Sequence, residues 1–221
     1  MYRGVPQYPV TISLAAHARN LNIPEAYLQE LVTGMEMDLT NTRYATFDDL
    51  STYCYRVASI VGLICLKVFG TQDPRAQDYA INLGMAFQLT NILRDVGVDA
   101  NRQRIYLPQE DLTRFNYSEQ QLLERKQSAQ FVEFMKFEVN RTHQFYAKSQ
   151  SVYESLSRKD RQSLLAAEIM REIYFRILTR IKSSNYEVFG SRISLSPTHR
   201  ILIALYTGIR TSLINRFTSQ P

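Results

Sequence analysis

Apolar residues recur every three or four positions along almost the whole chain. This spacing puts them on one face of an α-helix, which can bury that face against its neighbours. The pattern predicts a single all-α domain over residues 1–221, with no internal repeat or linker. The predicted helical segments are residues 10–21, 25–39, 46–69, 76–96, 119–127, 129–156, 159–182 and a last one after 197. The longest stretch without the pattern, 99–112, is expected to be irregular.

Polar residues at the segment ends have the types and spacings that begin helices. Thr46 with Asp49, and Ser118 with Gln121, have the spacing of a capping box, in which each side chain satisfies a backbone N–H of the other residue. Pro24 stands at the start of a segment, where a helix accepts proline. These signals support the predicted helix starts.

Composition and charge exclude some classes of protein. Hydrophobic residues are 45% and charged residues 21% of the chain, which indicates a globular protein. The net charge is +5, divided into −3 for residues 1–100 and +8 for residues 101–221. A basic second part suits phosphate, a lipid headgroup or nucleic acid. The cations are scattered among acids without a nucleic-acid motif, so no nucleic-acid partner is expected.

Cysteine placement and the apolar runs indicate the compartment. Cys54 and Cys65 stand in one predicted helix about 16 Å apart along its axis, too far for a disulfide. The longest uncharged apolar runs, 57–66 and 201–209, are shorter than the roughly 20 residues that span a bilayer. We expect a cytoplasmic protein, and peripheral contact with a membrane surface stays open.

The stretch "QLTNILRDVGVD", residues 88–99, carries amides and carboxylates at helical spacing. Gln88, Asn91, Asp95 and Asp99 fall within an arc of about 80°, beside an apolar stripe, and Gly84 is expected to leave space on the same face. Two carboxylates four residues apart repel each other, and a divalent cation would remove this penalty. Carboxylate and amide oxygens are typical Mg²⁺ ligands, and Mg²⁺ is often shared with substrate phosphates.

Two interpretations of this stretch compete. Arg94, Arg102 and Arg104 can hold phosphate oxygens beside the cation, which favours a metal–diphosphate site. Alternatively, Asp95 and Asp99 only solvate the end of a helix, which is the commoner explanation of a bare D-x-x-x-D. The complete string N-x-x-R-D-x-x-x-D is far more specific and favours the site.

A second stretch, "YCYRVASIVG", residues 53–62, begins an apolar stripe. Tyr53, Val57, Ile60 and Ile64 share one helical face, with Val61 at its edge. Such a stripe can line a hydrocarbon tunnel with a tyrosine hydroxyl at its mouth. Spacing alone favours the simpler explanation, an ordinary core.

Together with "LGMAFQLTNILRDVGVDANRQRIYLPQEDL" and "AAEIMREIYFRILTRIKSSNYEVFGSRISLS", these stretches resemble the squalene/phytoene synthase family, in family order. "RVAS", "SLLAAEIMREIY" and "VFGSRISLS" are most similar to presqualene diphosphate synthases of the hopanoid pathway. The resemblance implies an all-α isoprenoid-synthase (terpenoid synthase) fold. It also implies a Mg²⁺-dependent head-to-head condensation of two farnesyl diphosphates to presqualene diphosphate.

The resemblance assigns roles to residues by motif. The implied metal ligands are Asn91, Asp95 and Asp99. The implied catalytic residues are Tyr53, Arg94 and Asp95. The implied substrate-binding residues are Val57, Val61, Leu83, Gly84, Gln88, Arg94, Arg104, Tyr174 and Arg192. Metal and guanidinium charge would stabilise a leaving diphosphate, and a dry tunnel would protect the cation from water.

The sequence also departs from the family pattern. Val98 replaces the usual acidic residue, Gln103 replaces a common glycine, and the family's first D-x-x-x-D motif is not found. We therefore expect an N-terminally shortened domain with weak or no activity as written. The alternatives are a phytoene synthase using two geranylgeranyl diphosphates, and a non-catalytic binding or assembly protein of the same fold.

Overall fold

A computed structural model describes the backbone of residues 7–217 and the side chains of residues 7–211. The helices are α1 Pro9–Asn20, α2 Glu25–Thr40, α3 Phe47–Cys54, α4 Ile60–Phe69, α5 Ala76–Asn101, α6 Gln109–Arg114, α7 Glu119–Leu123, α8 Ala129–Ser155, α9 Arg158–Ser163, α10 Leu165–Ser183 and α11 Pro197–Phe217. No strand occurs in the described residues, so the all-α prediction is confirmed. The ends of the predicted domain, residues 1–6 and 218–221, lie outside the described residues, and the single-domain boundary stays a prediction.

Both predicted capping boxes are present. The backbone N–H of Asp49 donates to Thr46 Oγ1 over 3.2 Å, and that of Thr46 donates to Asp49 Oδ2 over 3.1 Å. Ser118 and Gln121 make the same reciprocal pair over 3.2 and 2.8 Å. Each box satisfies backbone donors that the first turn of a helix leaves free, so α3 and α7 begin where the sequence predicts.

Two segments differ from the sequence prediction. The stretch 99–112 is only partly irregular, because α5 continues to Asn101 and α6 begins at Gln109. The segment 159–182 is divided at Leu164 into α9 and α10, and α9 begins one residue before the predicted segment, where the Ser157 hydroxyl accepts a hydrogen bond from the N–H of Asp160. Apolar periodicity does not register such breaks, since the apolar face continues across them.

A π-helical turn, Tyr55–Ser59, joins α3 to α4 and was not predicted. The N–H of Ile60 donates to the carbonyl of Tyr55, five residues earlier, so this turn holds one residue more than an α-turn. The extra residue rotates everything after it around the helix axis. Side chains before and after the turn therefore no longer share the face that uninterrupted α-helical spacing assigns to them.

Helix α5 is the centre of the molecule. It packs against α8, α4, α10 and the π turn. The α8 side that it meets carries Phe131, Phe134, Met135 and Val139, all fully buried, at the three- and four-residue spacing of one helix face. Burial of this many large side chains fixes α5, and with it the polar residues near its C-terminal end.

The continuous rod Phe47–Phe69, made of α3, the π turn and α4, is long and apolar enough to cross a membrane by length and composition alone. A core helix of a soluble protein meets the same criterion. Here Leu50, Ile60 and Leu63 of the rod are buried in the common core. The predicted cytoplasmic location, with peripheral membrane contact left open, stays a prediction.

Candidate functional site

The polar stripe of α5 forms as the spacing predicts, because the helix continues past Asp99. The side chains of Gln88, Asn91, Asp95 and Asp99 are all partly buried. Asn91 Nδ2 lies 3.5 Å from Gln88 Oε1. Asn91 Oδ1 is fully buried and has no hydrogen-bond partner among the described residues. A buried amide oxygen left unpaired is costly, and it is an acceptor available to a ligand.

Asp95 is held by two guanidinium groups. Arg94 Nε and Nη2 donate to its two carboxylate oxygens over 2.9 and 2.5 Å. Arg192, 97 residues further along the chain, donates to the same oxygens from Nε and Nη2 over 2.7 and 2.9 Å. Burial alone would raise the pKa of Asp95, but these hydrogen bonds outweigh it and lower the pKa. Asp95 is therefore ionised and paired at neutral pH.

Asp99 has a different environment, one turn further on. Burial and then the Asp95 carboxylate raise the pKa of Asp99 to about 6. Arg102 and Arg104 oppose this rise through space, and no hydrogen bond from a guanidinium reaches Asp99 within the part of the chain that the structure describes. The positive charge near Asp99 therefore does not compensate its carboxylate, and a bound cation would do so.

The donor set fits a hard divalent cation. Asn91 Oδ1 and the Asp99 carboxyl are oxygen ligands without a hydrogen-bond partner among the described side chains, and Asp95 stands between them on the same face. Within the described residues, no group of three or more His, Cys, Asp or Glu side chains forms a complete metal site. A cation such as Mg²⁺ would therefore need further oxygens, from water or a substrate phosphate.

A second polar group surrounds Asp38 at the C-terminal end of α2. Tyr53 Oη donates to Asp38 Oδ2 over 3.1 Å, and Tyr106 Oη donates to Oδ1 over 2.9 Å. Arg104 donates to the Asp38 carbonyl over 2.5 Å and to Tyr106 Oη over 3.2 Å. Burial, followed by the nearby Tyr106 and Asp38, raises the pKa of Tyr53, so its hydroxyl stays protonated.

Two of these residues were missed as site residues by the sequence analysis, namely Asp38 and Tyr106. Tyr106 lies in the stretch 99–112, which the pattern predicts to be irregular. Outside a predicted helix, residue spacing does not show which side chains share a face. The rings of Tyr44, Tyr53 and Tyr106 lie within 5.9 Å of each other, centroid to centroid. Arg104 and Tyr106 line a small cavity together with Asp99, so the Asp38 group adjoins the polar stripe.

An apolar cavity of about 310 Å³ lies between α4, α5 and α10. Its lining includes Val61, Leu83 and Gly84, three of the residues predicted to bind substrate. One end of the cavity reaches Phe87, a single helical turn before Asn91. Tyr174 packs on the Phe87 ring at 4.7 Å between centroids. Apolar space thus ends beside the polar stripe.

Three other predicted residues lie outside this cavity. Tyr53 is buried and its hydroxyl donates to Asp38. Val57 packs near Gly34 of α2, and Gln88 contacts Asn91. The simpler explanation of the stripe, an ordinary core, is confirmed: Tyr53 and Ile60 are buried in the core, and Val57 and Ile64 pack against it. None of the four lines this cavity, because the π turn rotates α4 relative to α3. The lining uses the face of Val61 instead.

Gly84 also corrects an expectation. A Cβ at this position would lie 2.6 Å from Ser59 Cα and 2.7 Å from Ser59 N. The missing side chain therefore admits the backbone of the π turn against α5, in addition to bordering the cavity. The expected open space on this face is filled by protein.

This arrangement can hold an anionic group by guanidinium contacts while an attached apolar chain lies in the cavity. The all-helical fold that carries this site is that of the isoprenoid-synthase class. The profile of the squalene/phytoene synthase family matches residues 2–199. The chain belongs to the squalene/phytoene synthase family, whose members are prenyltransferases acting on prenyl diphosphates.

Individual relatives agree with this assignment. The chain is 37% identical to the phytoene synthase of Arthrospira platensis and to the 15-cis-phytoene synthase of Synechococcus elongatus, covering 93% of this chain and 69% of each relative. A crystal structure of a dehydrosqualene synthase superposes with a TM-score of 0.79 at 30% identity, covering 94% of this chain and 72% of that one. The squalene synthase HpnC from Alicyclobacillus acidocaldarius, 24% identical over 84% of this chain and 69% of its own, has the same fold with a TM-score of 0.76.

Proposed function

We propose that this chain condenses two prenyl diphosphates head to head, with geranylgeranyl diphosphate as the substrate, as in a phytoene synthase. The observation that carries the proposal is the apolar cavity that ends one helical turn from a cluster of amide, carboxylate and guanidinium groups. A prenyl diphosphate has the matching chemistry, because an apolar chain is joined to an anionic head.

The arginines are proposed to bind the diphosphate. Arg192 is more than half exposed and, among the described residues, hydrogen-bonds to Asp95 alone, so it can turn to an incoming anion. Arg94 and Arg104 are less exposed and are paired with Asp95 and Asp38, respectively. Guanidinium groups in fixed positions would favour the charge that develops on a leaving diphosphate.

Mg²⁺ is proposed as the cofactor, with Asn91, Asp95 and Asp99 as its protein ligands. When bound, it would neutralise diphosphate charge and favour departure of this group. The residues of the chain then have two further tasks. The apolar cavity keeps water away from an allylic cation, and Asp38 holds the Tyr53 hydroxyl in place as an acceptor of its proton.

The length of the prenyl chain is part of the proposal. The relatives with the highest identities given above are phytoene synthases, which favours the alternative with two geranylgeranyl diphosphates over the farnesyl reaction. The condensation of two farnesyl diphosphates to presqualene diphosphate is the second candidate. The similarity to a dehydrosqualene synthase structure and to HpnC motivates it, together with the hopanoid-like strings in the sequence.

A direct product assay tests the proposal. Purified chain is incubated with Mg²⁺ and either geranylgeranyl or farnesyl diphosphate, and the products are identified by mass spectrometry. Phytoene or its cyclopropane diphosphate precursor is expected from the first substrate. Asp95→Asn should abolish it, whereas Asp78→Asn, an exposed carboxylate on the same helix, should not. Products from farnesyl diphosphate alone would favour the second candidate. No product from either substrate, also after a family-like segment with the first D-x-x-x-D motif is fused to the N-terminus, would contradict both.

A further inference from the structure

A second cavity of about 230 Å³ lies on the other side of α10, where this helix faces α8, α9 and α11. It shares no lining residue with the apolar cavity and contains none of the residues proposed for prenyl condensation. Each of its lining residues carries a polar or charged group, unlike the lining of the apolar cavity. Glu168, Arg171 and Glu172 of its lining belong to a stretch that resembles the family, but the resemblance assigns no role to them.

The charges of this cavity are only partly compensated. Arg171 is paired with Glu168 over 3.0 Å and with Glu172 over 3.8 Å. Arg161 and Arg210 also line the cavity, and neither forms an ion pair with any side chain that the structure describes. Two arginines in one cavity without a carboxylate partner favour an anionic ligand.

Two buried polar atoms restrict which hydrogen-bonding groups a ligand of this cavity must have. Arg161 Nε is fully buried and donates to no acceptor among the described residues. Gln150 Oε1 is equally buried and accepts from no donor there. The orientation of the Gln150 amide is set by its Nε2, which donates to Glu154 Oε1 over 2.7 Å. A fitting ligand must therefore accept hydrogen bonds from arginine and donate one to an amide oxygen.

We infer that this cavity binds a phosphate group in its singly protonated form. Its oxygens would accept from Arg161 and Arg210, and its remaining O–H would donate to Gln150 Oε1. The cavity has room for such a group with water, since one water takes up about 30 Å³. Three carboxylates also line the cavity: Glu168 and Glu172 are paired with Arg171, and Glu154, which has no arginine partner among the described residues, accepts a hydrogen bond from the Gln150 amide. This inference goes beyond the proposed function and does not rest on it.

One buried contact joins the phosphate cavity to the apolar cavity. Tyr79 lines the apolar cavity, and its hydroxyl donates to Glu168 Oε1 over 2.9 Å. Glu168 lines the phosphate cavity and is held by Arg171. Glu168 therefore contacts one side chain from each cavity, Tyr79 and Arg171.

Site-resolved titration tests the inference. Inorganic phosphate is added to the complete ¹⁵N-labelled chain in chloride buffer of constant ionic strength, and amide shifts are followed by NMR. Saturable shifts are expected around residues 150–154, 161 and 206–211. Arg161→Gln and Arg210→Gln should each weaken binding about 10-fold or more, since each removes a charge-assisted donor. Glu154→Gln should tighten binding, because it removes an opposing charge.

The control variants distinguish binding in this cavity from nonspecific attraction to positive charge and from loss of folding. Lys159→Gln removes an exposed cation from α9 outside the cavity and should leave binding unchanged. Arg210 is exposed, so its replacement tests the inference even if Arg161→Gln misfolds. Vesicles containing phosphatidic acid, compared with phosphatidylcholine, distinguish a lipid headgroup from free phosphate. Shifts confined to residues 88–99 and 192, or equal weakening by Lys159→Gln, would overturn the inference.

Discussion

The contact between Gly84 and the π turn offers a sharp test of how the apolar cavity is built. In Gly84→Ala, the new Cβ would lie 2.6 Å from Ser59 Cα and 2.7 Å from Ser59 N. Both are backbone atoms, which cannot rotate away as a side chain would. Reaching an ordinary contact distance requires α5 and the π turn to separate by roughly 1 Å, which weakens every other contact between them.

The expected cost follows from two opposing effects. Overpacking of this kind costs about 3 kcal/mol, at the upper end of its usual range. Alanine in place of glycine inside a helix stabilises the folded state by about 1 kcal/mol through its higher helix propensity. The net loss of about 2 kcal/mol should lower Tm by about 4–8 °C in a chain of this size.

Gly208→Ala is the matched control, because Gly208 is also inside a helix and a Cβ there would meet nothing within 4 Å. Only the helix-propensity gain of about 1 kcal/mol remains, and Tm should rise by about 2–4 °C. Thermal unfolding followed by circular dichroism at 222 nm measures both variants. The same substitution thus has opposite signs at two positions. A rise or no change in Tm for Gly84→Ala would refute the close backbone crossing.

Three further predictions concern the polar groups. Arg192→Gln should raise KM for the prenyl diphosphate about 10-fold with little change in Tm, since Arg192 is 58% exposed; an unchanged KM would contradict its binding role. Burial raises the pKa of Glu138 from 4.5 to about 8, so the folded state keeps a proton that the unfolded state loses. Stability relative to Glu138→Gln should therefore fall between about pH 5 and 8 in urea titrations, and a constant difference would refute this. Tyr53→Phe, which leaves Asp38 with one tyrosine fewer, should cost about 1 kcal/mol in the same assay and lower kcat; wild-type values of both would speak against the Asp38 group.

The helices and their starts were accessible from sequence because their causes are local. Apolar spacing selects the buried face, and the Thr46–Asp49 pair satisfies backbone donors three residues away. The polar stripe was accessible for the same reason, since it depends only on α5 remaining helical to Asp99. Local signals of this kind need no knowledge of the partner helices.

The remaining features depend on contacts between distant parts of the chain. The π turn fits because α5 presents Gly84 to it, and Ser59 Oγ donates to the Ile81 carbonyl over 2.8 Å. The clamp on Asp95 needs Arg192 from the loop before α11. No spacing within one segment encodes either contact. Spacing therefore left open which face of α4 lines a cavity, and Val61, Leu83 and Gly84 of the lining were named through the family resemblance.

Asp95 and Asp99, which residue spacing does not distinguish, lie in opposite electrostatic environments. Asp95 already has two guanidinium partners and a lowered pKa, so a cation would gain little there unless Arg192 leaves. Asp99 has a raised pKa and lies on the same face as Asn91, whose oxygen is unpaired. If the proposed cation binds, Asn91 and Asp99 would be the ligands that need no other partner displaced, and it would supply the positive charge that Asp99 lacks. A diphosphate that drew Arg192 away from Asp95 would leave the Asp95 carboxylate with Arg94 alone among these guanidinium partners.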